Sequence, residues 1–128
     1  MARRRPLVLV VEDDPALGDV ILTALRDDGL DSRLASDGDE AMRLVDTLQP
    51  SCIVLDLMMP RRDGFSVPRE LRSDGRIAKL PVVVVTAMFG LSERNYATEL
   101  GAADYVTKPF ELDDLVGRVR ALIAPTSI

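Results

Sequence analysis

The stretch Cys52-Ile53-Val54-Leu55-Asp56-Leu57-Met58-Met59-Pro60 decides the fold. A short apolar run with β-branched residues reads as a strand buried on both faces. Such a strand has no room for a charge in its middle, so Asp56 marks its end. Asp56 is therefore expected at the carboxyl edge of a sheet, where open α/β sheets hold their ligands.

Working outward, Leu7-Val8-Leu9-Val10-Val11 is a second apolar run, and it stops at Glu12-Asp13-Asp14-Pro15. Val82 to Val85, introduced by Pro81, is a third and stops at Thr86. Ala103 to Thr107 is a short strand broken by Lys108-Pro109, and Leu30 to Ala35 alternates in polarity, as a strand near the side of a sheet does. Between these runs the apolar residues take up helical spacing. Leu17, Val20, Ile21, Ala24 and Leu25 make one stripe, opened by an acid before Pro15 and stopped by Gly29. Ala41, Leu44, Val45 and Leu48 make another, behind an Asp37/Glu40 capping pair and ended by Pro50. A third helix is expected from about Phe65 to Arg72, where Pro68 is tolerable only in the first turn. Ser73-Asp74-Gly75 reads as a turn. Ser92 to Leu100 reads as a weakly amphipathic helix capped by Gly101. Leu112, Leu115, Val116, Val119, Leu122 and Ile123 define the last. Strands alternating with helices imply right-handed crossovers and a parallel sheet between two helical layers. The chain is expected to be one α/β domain over residues 1–128, with its core at about 6–123.

In a parallel sheet every carboxyl end lies on one edge. Glu12, Asp13, Asp56, Thr86 and Lys108 thus meet there: three carboxylates, a hydroxyl and an ammonium. Two like charges 4 Å apart at an effective dielectric of 20 repel by ~4 kcal/mol, so the cluster needs a counter-charge. Lys108 supplies one, and a divalent cation is the natural further occupant. All-oxygen ligands without His or Cys suit Mg²⁺. Taken singly, each residue has a plainer reading. The acids before Pro15 serve as helix caps, Thr86 is an ordinary strand-end threonine, and Lys108 is a surface lysine. The joint occurrence at four strand ends favours the site.

Composition narrows the chemistry further. The chain of 128 residues carries 16 basic and 21 acidic side chains, a net charge of −5, which disfavours non-specific nucleic-acid binding. Arg3, Arg4 and Arg5 read as a solvated tail. The single cysteine, Cys52, opens an apolar strand and is expected to be buried and inert, in keeping with a reducing compartment. No apolar run approaches the ~20 residues of a membrane span. There are 0 histidines, so any histidine chemistry must come from a partner.

These motifs together resemble the receiver domain of two-component response regulators. The resemblance runs from about Pro6 to Ile123 and rests on Val-Val-Glu-Asp-Asp-Pro, Leu-Asp-Leu-Met-Met-Pro with Asp63-Gly64, Val-Val-Thr-Ala and Tyr-Val-Thr-Lys-Pro-Phe. The spacings agree as well: 86 − 56 = 30 from Asp to Thr, and 108 − 86 = 22 from Thr to Lys. The resemblance implies a flavodoxin-like doubly wound sheet of five parallel strands in the order 2-1-3-4-5, with five helices. It implies that Asp56 accepts a phosphoryl group from a phosphohistidine on a sensor histidine kinase or phosphotransfer protein. It implies Mg²⁺, replaceable by Mn²⁺, held by Asp13, Asp56 and the Met58 backbone carbonyl directly and by Glu12 through water. Thr86 and Tyr105 would be the switch, Tyr105 turning inward as Thr86 bonds the phosphoryl oxygen. Lys108 would pair with that group, its peptide to Pro109 cis. Ala87 would leave the group approachable, while Met58 and Met88 would tune its lifetime. Asp14, one place beyond the acidic pair, is left as a cap. A cytoplasmic signalling domain rather than an enzyme is implied, acting on an effector through its fourth helix, fifth strand and fifth helix, without direct nucleic-acid or membrane contact. A homodimer on phosphorylation is a further expectation, with Arg94, Glu111, Arg118 and Arg120 as ion-pair candidates. Ala103 departs from the acidic residue often found there in the subgroup that dimerises through this face.

Three rival readings differ in testable ways. A haloacid-dehalogenase-like phosphatase needs a second Asp two places after the first, where this chain has Met58. A flavodoxin-like cofactor carrier needs a Ser/Thr/Gly-rich phosphate loop where this chain has Glu12-Asp13-Asp14. An interaction module of the same fold would not need the full residue set found here.

Overall fold

The computed structural model describes residues 5–57, 64–87 and 90–123. Five strands, β1 (Leu7–Val11), β2 (Asp31–Ala35), β3 (Cys52–Asp56), β4 (Val82–Thr86) and β5 (Asp104–Thr107), alternate with α1 (Pro15–Asp27), α2 (Gly38–Leu48), α3 (Ser66–Ser73), α4 (Leu91–Leu100) and α5 (Leu112–Leu122). The strands form one parallel sheet in the order β2-β1-β3-β4-β5. That is the doubly wound order the resemblance implied, with the weakly apolar β2 at one side.

Alternation along the central strands sorts the core into two layers. Leu9, Ile53, Leu55, Val82 and Val84 pack with Ala41 and Val45 of α2, Val67 and Leu71 of α3, and Ala97 of α4. Val8, Val10, Val54, Val83 and Val85 pack with Ile21 and Leu25 of α1 and with Leu115 and Val119 of α5. Both faces of β3 and β4 are covered, which is why these strands read as unbroken apolar runs.

Most helix ends follow the sequence signals. Asp14 caps α1 by accepting a hydrogen bond from the Ala16 N–H, with Pro15 at the first helical position. Asp37 caps α2 through the Glu40 N–H at 2.8 Å, while the Glu40 side chain reaches back to the Ser36 N–H and hydroxyl rather than to Asp37. Helix α2 stops at Leu48, one residue before Gln49 adopts a left-handed conformation at φ 50°, so the stop precedes Pro50. Helix α3 begins at Ser66, which places Pro68 in the first turn, where its missing N–H costs nothing. A short 3-10 helix at Arg76–Ala78 follows, a feature the sequence did not announce. Cys52 is fully buried, and burial pushes its thiol up to about 12. No helix among the described residues is long and apolar enough to cross a membrane.

Candidate functional site at the carboxyl edge

The ends of β1, β3, β4 and β5 deliver the predicted residues to one place. Glu12 follows β1, Asp56 ends β3, Thr86 ends β4 and Lys108 follows β5. Register fixes this convergence: Val11 lies beside Leu55, Asp56 beside Val85, and Thr86 beside Thr107. One carboxylate oxygen from each of Glu12, Asp13 and Asp56 falls within 4.8 Å of the others. Glu12 and Asp56 are only 3% and 4% exposed, so their charges are felt in a poorly screened setting, while Asp13 opens to solvent.

The Lys108 ammonium lies 3.0 Å from Asp56 Oδ2 and 3.5 Å from Glu12 Oε1. Its reach across the sheet is braced by its own backbone, whose N–H donates to the Thr86 carbonyl at 2.8 Å. The Lys108–Pro109 peptide is cis, as expected. Partial burial pulls the Lys108 ammonium down, but the hydrogen bond and charge of Asp56, with Glu12 behind it, outweigh that and raise it. Glu12 moves the other way from an ordinary carboxylate. Burial pushes it up to about 7, helped by the negative charge of Asp56 and opposed by the Asp14 N–H, which donates to Glu12 Oε2 at 3.2 Å, and by Lys108. Above about pH 7, where Glu12 is also ionised, two buried carboxylates beside one ammonium leave negative charge uncompensated. The all-oxygen donor set fits a hard divalent cation.

Thr86 is wholly buried at the end of β4. Tyr105 on β5 is inward, 6% exposed and packed in the layer with α3 and α4. The Arg94 guanidinium of α4 covers its ring at 5.4 Å and donates to its carbonyl at 3.3 Å. Burial and the Glu93 carboxylate raise the Tyr105 phenol, with Arg94 opposing. Ala87 is exposed beside Thr86. Met58 and Met88, together with Arg3 and Arg4 of the expected tail, lie outside the described residues.

Two features escaped the sequence. Gly64 returns so close to β3 that a Cβ there would stand 2.4 Å from the Leu57 Cα and carbonyl oxygen. The Asp63-Gly64 pair was visible as a motif, but its reason, close backbone approach, was not. The second is an aromatic contact between Phe65 and Tyr96 at 4.8 Å between ring centroids. No local signal pairs the residue before α3 with one on α4. The ion-pair candidates on α4 and α5 are engaged within the chain: Arg118 binds Asp104 and Asp114, Arg120 binds Asp28, and Arg94 sits on Tyr105. Glu111 is the N-cap residue that precedes α5.

A model of the response regulator receiver domain matches residues 8–120. Among curated proteins, the chain is 45% identical over 120 residues to the response regulator MprA of a Mycobacterium species, covering 94% of this chain and 51% of that protein. It is 41% identical over 121 residues to the DNA-binding dual master transcriptional regulator RpaA of Synechocystis, covering 94% of this chain and 50% of that protein. The chain thus spans about half the length of these curated relatives. Among solved structures, the receiver domain of Francisella response regulator 1452 superposes with a TM-score of 0.88 at 36% identity, covering 96% of this chain and 100% of that one. The non-phosphorylated HemR receiver domain of Leptospira biflexa gives 0.85 at 32% identity, covering 97% and 98%.

Proposed function

This chain belongs to the response regulator receiver domains, which are two-component phosphoacceptors, and from that premise we propose that Asp56 is the acceptor. One observation carries the assignment: Asp56 is the buried carboxylate that faces Lys108 at 3.0 Å with two further carboxylates within 4.8 Å.

A phosphohistidine of a sensor kinase or phosphotransfer protein is the donor. An Asp56 oxygen attacks phosphorus, the P–N bond breaks, and the released imidazole takes up a proton. The chain holds 0 histidines, which suits a donor supplied in trans. Lys108 meets the charge that develops on the transferring oxygens and holds it by an ammonium already in place. Asp13 and Asp56, with the Met58 carbonyl and with Glu12 through water, would hold Mg²⁺ or Mn²⁺. When bound, the ion neutralises the carboxylates and the phosphoryl oxygens. Thr86, at the end of the adjacent strand, donates its hydroxyl to the phosphoryl oxygen. Thr86 and Tyr105 form the switch: Tyr105 is drawn to its inward place as Thr86 moves, and the face of α4, β5 and α5 passes the change to an effector. Met58 and Met88 shield the aspartyl phosphate. The domain works in the cytoplasm as a single folded unit, makes no direct contact with nucleic acid or membrane, and dimerises on phosphorylation.

The test is incubation with acetyl phosphate, with and without Mg²⁺, followed by intact mass. One added phosphoryl group is expected with the ion and none in Asp56→Asn. Turnover of a generic phosphatase substrate would favour the hydrolase reading instead.

A further inference from the structure

Helix α4 is the least anchored element of the α2–α3–α4 layer. Only Ala97 and Leu100 of its ten residues are buried, and Leu91 is 73% exposed. What holds it is a pair of side chains two positions apart. On one side Arg94 covers the Tyr105 ring and donates to the Tyr105 carbonyl. On the other, Tyr96 packs its ring on Phe65 at an interplanar angle of 60° and accepts at its hydroxyl from Arg69 Nη1 at 3.2 Å. Arg72 adds a hydrogen bond from α3 to the Glu99 carbonyl near the end of α4. Phe65 is also the residue next to Gly64, whose backbone is pressed against Leu57, one residue past Asp56.

We infer that Tyr96 is a positioning residue: its contact with Phe65 and Arg69 fixes α4 so that Arg94 covers Tyr105, and thereby favours the inward Tyr105. The inference rests on the phosphoacceptor reading above, and it adds a lever that this reading does not use. The sign follows from the contacts. The clasp on α3 and the inward ring occur together, and both depend on the placement of one weakly buried helix. Removing contacts made with one arrangement lowers its population. A ligand that favours that arrangement must then work harder by the same factor.

The chain has 2 tyrosines and 0 tryptophans, so in any Tyr96 variant tyrosine fluorescence reports Tyr105 alone. Tyr96→Phe keeps the ring contact and loses the Arg69 hydrogen bond, whereas Tyr96→Ala loses both. Acrylamide quenching of Tyr105 is expected to be stronger in Tyr96→Ala than in Tyr96→Phe, at equal far-UV circular dichroism. The concentration of beryllofluoride needed for half-saturation with Mg²⁺ should rise about threefold or more in Tyr96→Ala and less in Tyr96→Phe. Equal quenching in the two variants would overturn the inference. So would a half-saturation concentration unchanged or lowered in Tyr96→Ala. Should Tyr96→Ala not fold, Phe65→Leu, which removes the aromatic partner and leaves Tyr96 in place, is read by beryllofluoride alone, with the same rise expected and the same null result decisive. The quenching comparison needs no phosphoryl chemistry. A wild type that ignores beryllofluoride would therefore count against the phosphoacceptor reading and leave the clasp to be judged on Tyr105 alone.

Discussion

The two edges of the sheet treat charge in opposite ways. At the carboxyl edge Glu12, Asp56 and Thr86 are buried, 3%, 4% and 0% exposed. At the amino edge, near the cleft between α2 and the turn after α3, Arg76 pairs with Asp46 at 2.5 Å and with Asp74 at 2.8 Å, but all three side chains are at least 36% exposed. The difference separates function from solvation. Exposed pairs are screened and contribute little, so they can sit anywhere on a surface. Buried carboxylates cost stability unless neutralised, and a fold keeps them together only where something must be held. Ser32, also buried, spends its hydroxyl locally on the Leu22 carbonyl, and among the described residues the Ser66 hydroxyl oxygen is buried without a hydrogen-bond partner.

The largest break in this contrast comes from backbone approach at the carboxyl edge. Gly64→Ala drives a Cβ into the Leu57 backbone at 2.4 Å, which cannot swing aside as a side chain could. A loss of about 3 kcal/mol in urea unfolding is expected, against about 1 kcal/mol for Gly75→Ala at the amino edge, where space is open and only the positive φ of 82° resists. Equal losses would mean that the close approach carries no energy.

Next in size is the buried charge itself. Glu12 is raised from 4.5 to about 7, so the folded, metal-free protein holds a proton between those values that the unfolded chain has released. That group's contribution therefore falls as pH rises from about 4.5 to 7. Glu12→Gln removes the penalty. It should be more stable than wild type at pH 7.5 without metal, on the order of 1 kcal/mol, with the gap closing toward pH 5. Added Mg²⁺ should narrow the gap at pH 7.5. A gap that widens at low pH would reverse the assigned cause.

The smallest effect belongs to the amino edge. Arg76→Ala should cost less than about 1 kcal/mol, with most of the loss gone in high salt. A salt-insensitive loss above that would place the amino edge on the same footing as the carboxyl edge.

The same contrast explains what could be read from the sequence. Strands buried on both faces leave unbroken apolar runs, and a charge at the end of such a run locates an edge. Glu12, Asp56, Thr86 and Lys108 were therefore legible one strand at a time, and parallel topology assembled them. Pro68 was placed by a local rule that a helix start satisfies. Pairings set by side-chain reach were not legible. Arg120 with Asp28, Arg118 with Asp104, and Tyr96 with Phe65 join residues distant in sequence, on surfaces where no period constrains them. The 3-10 helix at Arg76–Ala78 is too short to leave a period at all.

The central claim is that residues far apart along the chain meet around Asp56 to accept a phosphoryl group. Borohydride reduction of acetyl-phosphate-treated protein, then peptide sequencing by mass spectrometry, finds the modified carboxylate directly. Homoserine at position 56, formed only with Mg²⁺ present, is the expected result. Reduction at another carboxylate, or none anywhere with the ion supplied, would contradict the account.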